Sequence, residues 1–270
     1  HGWQMAYLLM TYFGQQGRRE AQKLLERNAQ DGDRLLGAFN RPMPHWLDFF
    51  CYTMFVDRDG KFQLGMLSTS AFKPLAASMG PMLKEESFHL GTGSNGLRRI
   101  IKAGVIPLDM LQRYINKWVS TAHDLFGVDE SSSAHWAYVW GIKGRWDERK
   151  KLEADIEVSK ETLNEEARQH YHEEIVREVR KLCGYLPEGA AELYVPHENF
   201  HREIGHFKRQ RYTVEGTLFE GSDDEWDAYM AAHLPTAQDE EDLKEFFKQQ
   251  WVAEKPMTAR QIASGIGAKA

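Results

Sequence analysis

The stretch LAASMGPMLKEESFHLGTG, residues 75–93, places Leu75, Met79, Met82, Glu86 and His89 at steps of 4, 3, 4 and 3. That spacing lines up one face of an α-helix. The apolar face of this helix therefore runs straight into a carboxylate and an imidazole. Burying a charge costs several kcal/mol unless it is paired or holds a metal. Two readings stay open from the residues alone. Glu86 and His89 are either a polar pair satisfied by neighbouring side chains, or two ligands that i, i+3 spacing sets on one face.

The neighbouring segment upstream, residues 44–72, reads PHWLDFFCYTMFVDRDGKFQLGMLSTSAF, and Pro44 suits its first turn. Leu47, Phe50, Met54, Asp57, Lys61 and Leu64 again follow steps of 3 and 4. Asp57 thus falls on a stripe that expects burial, with Asp59 on the other side of the helix. The alternative is that VDRDGK breaks the helix and Asp57 is a turn or cap residue. Taken together, Asp57, Glu86 and His89 are two carboxylates and one imidazole on adjacent helices. Such hard oxygen and nitrogen donors suit iron or manganese better than a thiolate site would.

Further out, residues 1–13 have helical period and are expected to stop at Gly14 and Gly17, before a second helix in REAQKLLERNAQ. That first period is already running at His1, so an N-terminal portion is expected to be missing. Residues 107–127 form a helix entered through Pro107 and closed by Gly127. Residues 147–182 are highly charged and predict a solvent-facing helix around Ile175, Val179 and Leu182. YTVEGTLFEG has the alternation and central glycine of a small hairpin. DDEWDAYMAAHL and EEDLKEFFKQQW predict two short helices. The fold expected is mostly all-α, in three parts. Residues 1–146 are helix packed on helix, 147–252 are helical and irregular with a short β-hairpin, and 253–270 are a mobile tail.

The chain has 270 residues, 42% of them apolar and 27% charged, which suits a globular protein with a substantial core. A net charge of −6 argues against a protein that grips nucleic acid. No apolar run approaches the roughly 20 residues that cross a bilayer. Cys51 and Cys183 lie far apart and are expected to be free thiols of a reducing cytoplasm.

Glu-x-x-His occurs three times, at Glu86/His89, Glu198/His201 and Glu203/His206, and only the first continues an apolar stripe. PHENFH spells the zinc-peptidase pattern through His197, Glu198 and His201. Pro196 before it and the basic REIGHFKRQR after it deny the buried mid-helix setting, so no zinc is expected there. GIKGRW, with Lys143 and Arg145, is either a phosphate-receiving loop or a solvated turn. Asn40 in AFNRP is open between a turn residue and a substrate contact.

KEESFH, with an aspartate 29 positions earlier in FVDRDG, resembles the catalytic subunits of the bacterial CoA-thioester ring epoxidases, which act on phenylacetyl-CoA and benzoyl-CoA. LLGAFN, DRDGKFQL, LQRYIN, DLFG, IKGRW and VPHENFHREIG resemble the benzoyl-CoA branch in particular, whereas EESFH is spelled more like the phenylacetyl-CoA branch. The resemblance covers most of residues 1–235. It implies a ferritin-like helical bundle with a di-iron centre. Asp57, Glu86 and His89 match one half of the ligand set, and His1 matches the histidine of the other half. The two remaining carboxylates would precede residue 1. Residues 1–270 by themselves are then expected to hold at most one metal weakly and to show no turnover.

The implied activity is a monooxygenase reaction in aerobic aromatic catabolism. One atom of dioxygen enters the ring as an epoxide and the other leaves as water. Electrons come from NADPH through a separate flavin and iron–sulfur reductase. The CoA phosphates would need basic or amide donors, for which Lys143, Arg145 and Arg202 are candidates, with His197 and Asn40 beside them. The rival from another class is a non-catalytic ferritin-like scaffold or partner subunit, because fold does not fix function.

Overall fold

Helix α3, Trp46–Leu67, and helix α4, Lys73–Ala103, run side by side in the most extensive pairing of the structure. This computed structural model describes residues 1–26, 41–147 and 162–248. Before α3 come α1, Gly2–Tyr12, and α2, Gly14–Glu26. After α4 follow α5, Leu108–Leu125, α6, Ser132–Val139, α7, Leu163–Cys183, α8, Asp223–His233, and α9, Ala237–Lys248.

Local chemistry explains where these helices start and stop. The ring of His45 caps α3 by accepting from the Asp48 amide at 3.2 Å, which leaves Pro44 just outside the helix. Gly104, at φ 65°, ends α4 in the left-handed region that lets its amide bond back to Ile100 and Ile101. The amides of Asn164 and Glu165 at the start of α7 donate to the Asp129 carboxylate, a cap supplied from elsewhere in the chain.

Two apolar clusters lie along α4. The larger joins α3, α5 and α7 to the second half of α4 through Met54, Phe55, Leu97, Ile100, Trp118 and Tyr171, among others. The smaller gathers Leu75, Met79 and Met82 from the first half of α4 against Leu8 of α1. Glu86 and His89 fall between the two.

α7 is less solvent-facing than its charge suggests, since Ala167 and Tyr171 join Ile175, Val179 and Leu182 in the large core. The expected boundary near residue 147 coincides with the end of a described segment. Both cysteines are free. No helix among the described residues is long and apolar enough to cross a membrane.

Two sequence expectations are corrected. Gly17 does not stop a helix. It lies inside α2, where it meets the Leu9 carbonyl so closely that any β-carbon would collide with it. The hairpin in YTVEGTLFEG is absent, because the described residues hold only an isolated antiparallel bridge between Tyr212 and Leu218. Two backbone bonds flank this bridge, from the Thr213 amide to the Thr217 carbonyl at 2.8 Å and from the Phe219 amide to the Arg211 carbonyl at 2.7 Å, and among the described residues the pairing extends to no strand. The expected mobile tail, 253–270, lies outside the described residues.

Candidate metal centre

The helix wins over the turn in VDRDGK: α3 continues unbroken through Asp57 to Leu67. Arg58 is held by an ion pair with Glu174 and by its bond to the Met54 carbonyl, and buried Asp59 accepts from Gln63. With both neighbours fixed, Asp57 presents its carboxylate to α4. There it meets Glu86 and His89, and one ligand atom from each of the three lies within 4.8 Å of the others.

The contacts inside this group are long for hydrogen bonds. His89 Nδ1 stands 3.6 Å from Asp57 Oδ2 and 3.4 Å from Glu86 Oε2. Glu86 Oε2 is buried and accepts no hydrogen bond. The Glu86 side chain is only 9% exposed, so water does little to replace the missing donor. His1 approaches from α1, with Nδ1 3.4 Å from the other Glu86 oxygen and Nε2 3.1 Å from exposed Glu85.

Electrostatics follow from that crowding. Loss of water, reinforced by the charge of Glu86 and offset by His89, pushes the Asp57 carboxyl up to about 7. Burial likewise pushes Glu86 up, with His89 pulling the other way. Two carboxylates with raised proton affinity, one orphaned oxygen and a nearby imidazole form a site short of positive charge. The donor set and the orphaned oxygen fit a hard or borderline divalent metal ion, which would supply that charge.

The remaining sequence candidates sit elsewhere. Lys143 turns inward and donates to Gln63 at 3.0 Å and to Asn164 at 2.6 Å, with buried Asp59 and Asp129 near its charge. Arg145 pairs with Asp147 at 2.6 Å. The Arg202 side chain is fully buried against Asp124. His197 is half-buried, its Nδ1 accepting from the Asn199 amide and its ring lying on Gly216. The residues of PHENFH run through turns rather than a helix, and His201 itself has φ 50°. His197, Glu198 and His201 are not among the described residues whose ligand atoms converge. Asn40 lies outside the described residues.

Sequence reading missed Asp59 as a site in its own right. It is 4% exposed, and burial, offset by Gln63 and Lys143, pushes its carboxyl up to about 7. An aspartate two residues from a ligand on the same helix could have raised the question. Gln63 lies one turn away on the same helix, but Lys143 comes from a distant part of the chain and leaves no local pattern. His123 in α5 was missed too. It is fully buried and meets His172 of α7 at 3.2 Å.

Comparison with known proteins bears on the same chain. The phenylacetic acid catabolic protein family matches residues 3–216. Benzoyl-CoA oxygenase component B from Aromatoleum evansii is 36% identical over 282 aligned positions, covering 88% of this chain and 59% of that protein. The 1,2-phenylacetyl-CoA epoxidase of Escherichia coli (strain K12) has a subunit that is 26% identical over 172 positions, covering 63% of this chain and 48% of that protein. The chain thus spans between about half and three-fifths of the length of these relatives. It belongs to the phenylacetic acid catabolic protein family.

Proposed function

With that membership as premise, we propose that this chain is the oxygenase component of a system that epoxidises the aromatic ring of a CoA thioester. Benzoyl-CoA is the first candidate substrate and phenylacetyl-CoA the second. The observation that carries the reading is the convergence of Asp57, Glu86 and His89 on one point, with a buried Glu86 oxygen that no protein group answers. The relatives are named as a benzoyl-CoA oxygenase component and a phenylacetyl-CoA epoxidase subunit, which fits this substrate class. In the same reading the fold is a ferritin-like bundle.

Asp57, Glu86 and His89 would hold iron, with His1 as a further ligand in a di-iron centre. Bound iron supplies the reduction of dioxygen and the transfer of one oxygen atom to the ring, using electrons from NADPH through a separate reductase. The chain's own residues set the conditions for that chemistry. The two carboxyls would release their protons to solvent as they bind the metal, and their negative charge would offset its positive charge. His89 contributes a neutral nitrogen. Met82 and Met79, buried one and two turns before Glu86, would help keep water from that end of the site.

At the CoA end the candidates remain Asn40, Lys143, Arg145, His197 and Arg202. Lys143, Arg145 and Arg202 would each have to exchange an internal partner for a phosphate. His197, half-buried on a surface loop, would not.

The test is oxygen-dependent consumption of benzoyl-CoA and phenylacetyl-CoA by iron-loaded full-length protein with a matched reductase. Turnover that Glu86→Gln abolishes supports the reading. Protein that takes up no iron and consumes neither thioester overturns it.

A further inference from the structure

Helix α4 carries GTGSNG in its middle, a run of glycine and polar residues with poor helix propensity inside a 31-residue helix. Gly93 and Gly96 of this run are buried, and both lie where α4 crosses α3. The two glycines do different things there. A β-carbon on Gly93 would stand 2.5 Å from the Met54 amide nitrogen, 2.7 Å from Thr53 Oγ1 and 2.9 Å from Met54 Cα. Backbone is in the way, so the helices themselves would have to move. A β-carbon on Gly96 would meet the Phe50 ring at 2.3 Å. Phe50 is only partly buried and borders a groove with Phe88 and Gly91, so its ring has somewhere to turn.

Gly93 is one turn beyond His89 on α4, and Met54 is just under one turn before Asp57 on α3. The backbone contact is therefore a fixed point about one turn from the place where Asp57 faces Glu86 and His89. We infer that Gly93 is a positioning residue for the metal centre, setting the α3–α4 separation at which the three ligand atoms reach one ion. This rests on the reading that Asp57, Glu86 and His89 hold a metal.

A methyl group at Gly93 falls roughly 1 Å short of ordinary contact distance with Met54. Packed helices are stiff, so a separation forced there is felt one turn away. Metal–ligand bonds tolerate deviations of only about 0.2 Å. Outer-shell changes of this kind cost about 10- to 100-fold in metal affinity.

The experiment is cobalt(II) titration of the purified protein, followed by its visible absorption band, for wild type, Gly93→Ala, Gly96→Ala and Thr53→Leu. Thermal melting without metal runs in parallel. Gly93→Ala is expected to bind cobalt at least about tenfold more weakly, with a changed band, while still melting cooperatively. Gly96→Ala, which gains the same helix propensity, is expected to stay within about threefold of wild type. Thr53→Leu adds bulk at the same crossing from the α3 side and carries the test if Gly93→Ala does not fold. It too is expected to lose about tenfold. Wild-type affinity in Gly93→Ala or Thr53→Leu overturns the inference, as does an equal loss in Gly96→Ala, which would mean general loosening. Wild-type protein that binds no cobalt overturns the metal reading itself, a result none of the variants can mimic.

Discussion

Among the carboxylates set into this helical core, Asp48, Asp124 and the pair Asp57 and Glu86 differ in what answers them. Asp48 of α3 accepts from the charged Lys117 at 2.6 Å and from Trp118 at 2.8 Å through one oxygen, while its other oxygen, 3.1 Å from His45, accepts no hydrogen bond. Asp124 of α5 is paired with Arg202 and accepts the Glu203 amide at 2.7 Å. Asp57 and Glu86 have no such donors and face each other across a histidine. Burial is shared, so burial by itself does not mark a functional site. The count of donors does. A fold gains nothing from leaving two carboxylates unanswered, whereas a metal centre needs them so.

The contrast can be broken by removing donors. Arg202→Leu should cost the most, about 3–5 kcal/mol, because it strands Asp124 in the core with only an amide. Urea unfolding measures it, and the double change Arg202→Leu with Asp124→Leu should recover much of the loss. Recovery would confirm that the pair is structural. A small effect from Arg202→Leu alone would free Arg202 for a phosphate.

Lys117→Met should cost less, about 2 kcal/mol, since Asp48 keeps Trp118 and His45. The same unfolding experiment decides it.

At the metal centre the sign reverses. The Asp57 carboxyl is pushed up to about 7 in the folded protein from an ordinary value near 3.8. The folded state therefore holds this proton more tightly than the unfolded chain does. The stability it contributes is full below the unfolded value and is lost as pH rises through about 7. Asp57→Asn should match wild type near pH 3.8 and melt higher above pH 7 without metal. The gain should be about 1–2 kcal/mol after allowance for residual solvent. A destabilised Asp57→Asn would show that the carboxylate is answered after all. The smallest effect belongs to Lys244, whose pair with Glu241 lies in solvent, with side chains 60% and 65% exposed. Lys244→Ala should leave the melting curve unchanged.

Much of this was legible in the sequence because it is local. Steps of 3 and 4 predict α3 and α4, and the same steps set Asp57, Glu86 and His89 on facing stripes. VDRDGK was undecidable locally. Aspartate and glycine favour turns, and the helix holds because Arg58 finds Glu174 and Asp59 finds Gln63 inside the fold. Arg202 looked like a phosphate ligand because nothing near it in sequence reveals Asp124, 78 residues away. The expected hairpin had the right alternation and a glycine at φ 88°, but its pairing stops at a single bridge between Tyr212 and Leu218. Gly17 read as a helix breaker, yet it is a place where another backbone comes too close for a side chain, as Gly93 is too.

Anaerobic reconstitution with iron(II), followed by iron analysis of wild type, Glu86→Gln and Asp57→Asn, puts the unanswered carboxylates to the proof. Wild type should take up iron at equilibrium with excess iron(II), and both variants should take up markedly less while remaining folded. Equal iron in all three proteins would contradict the assignment and place the metal elsewhere.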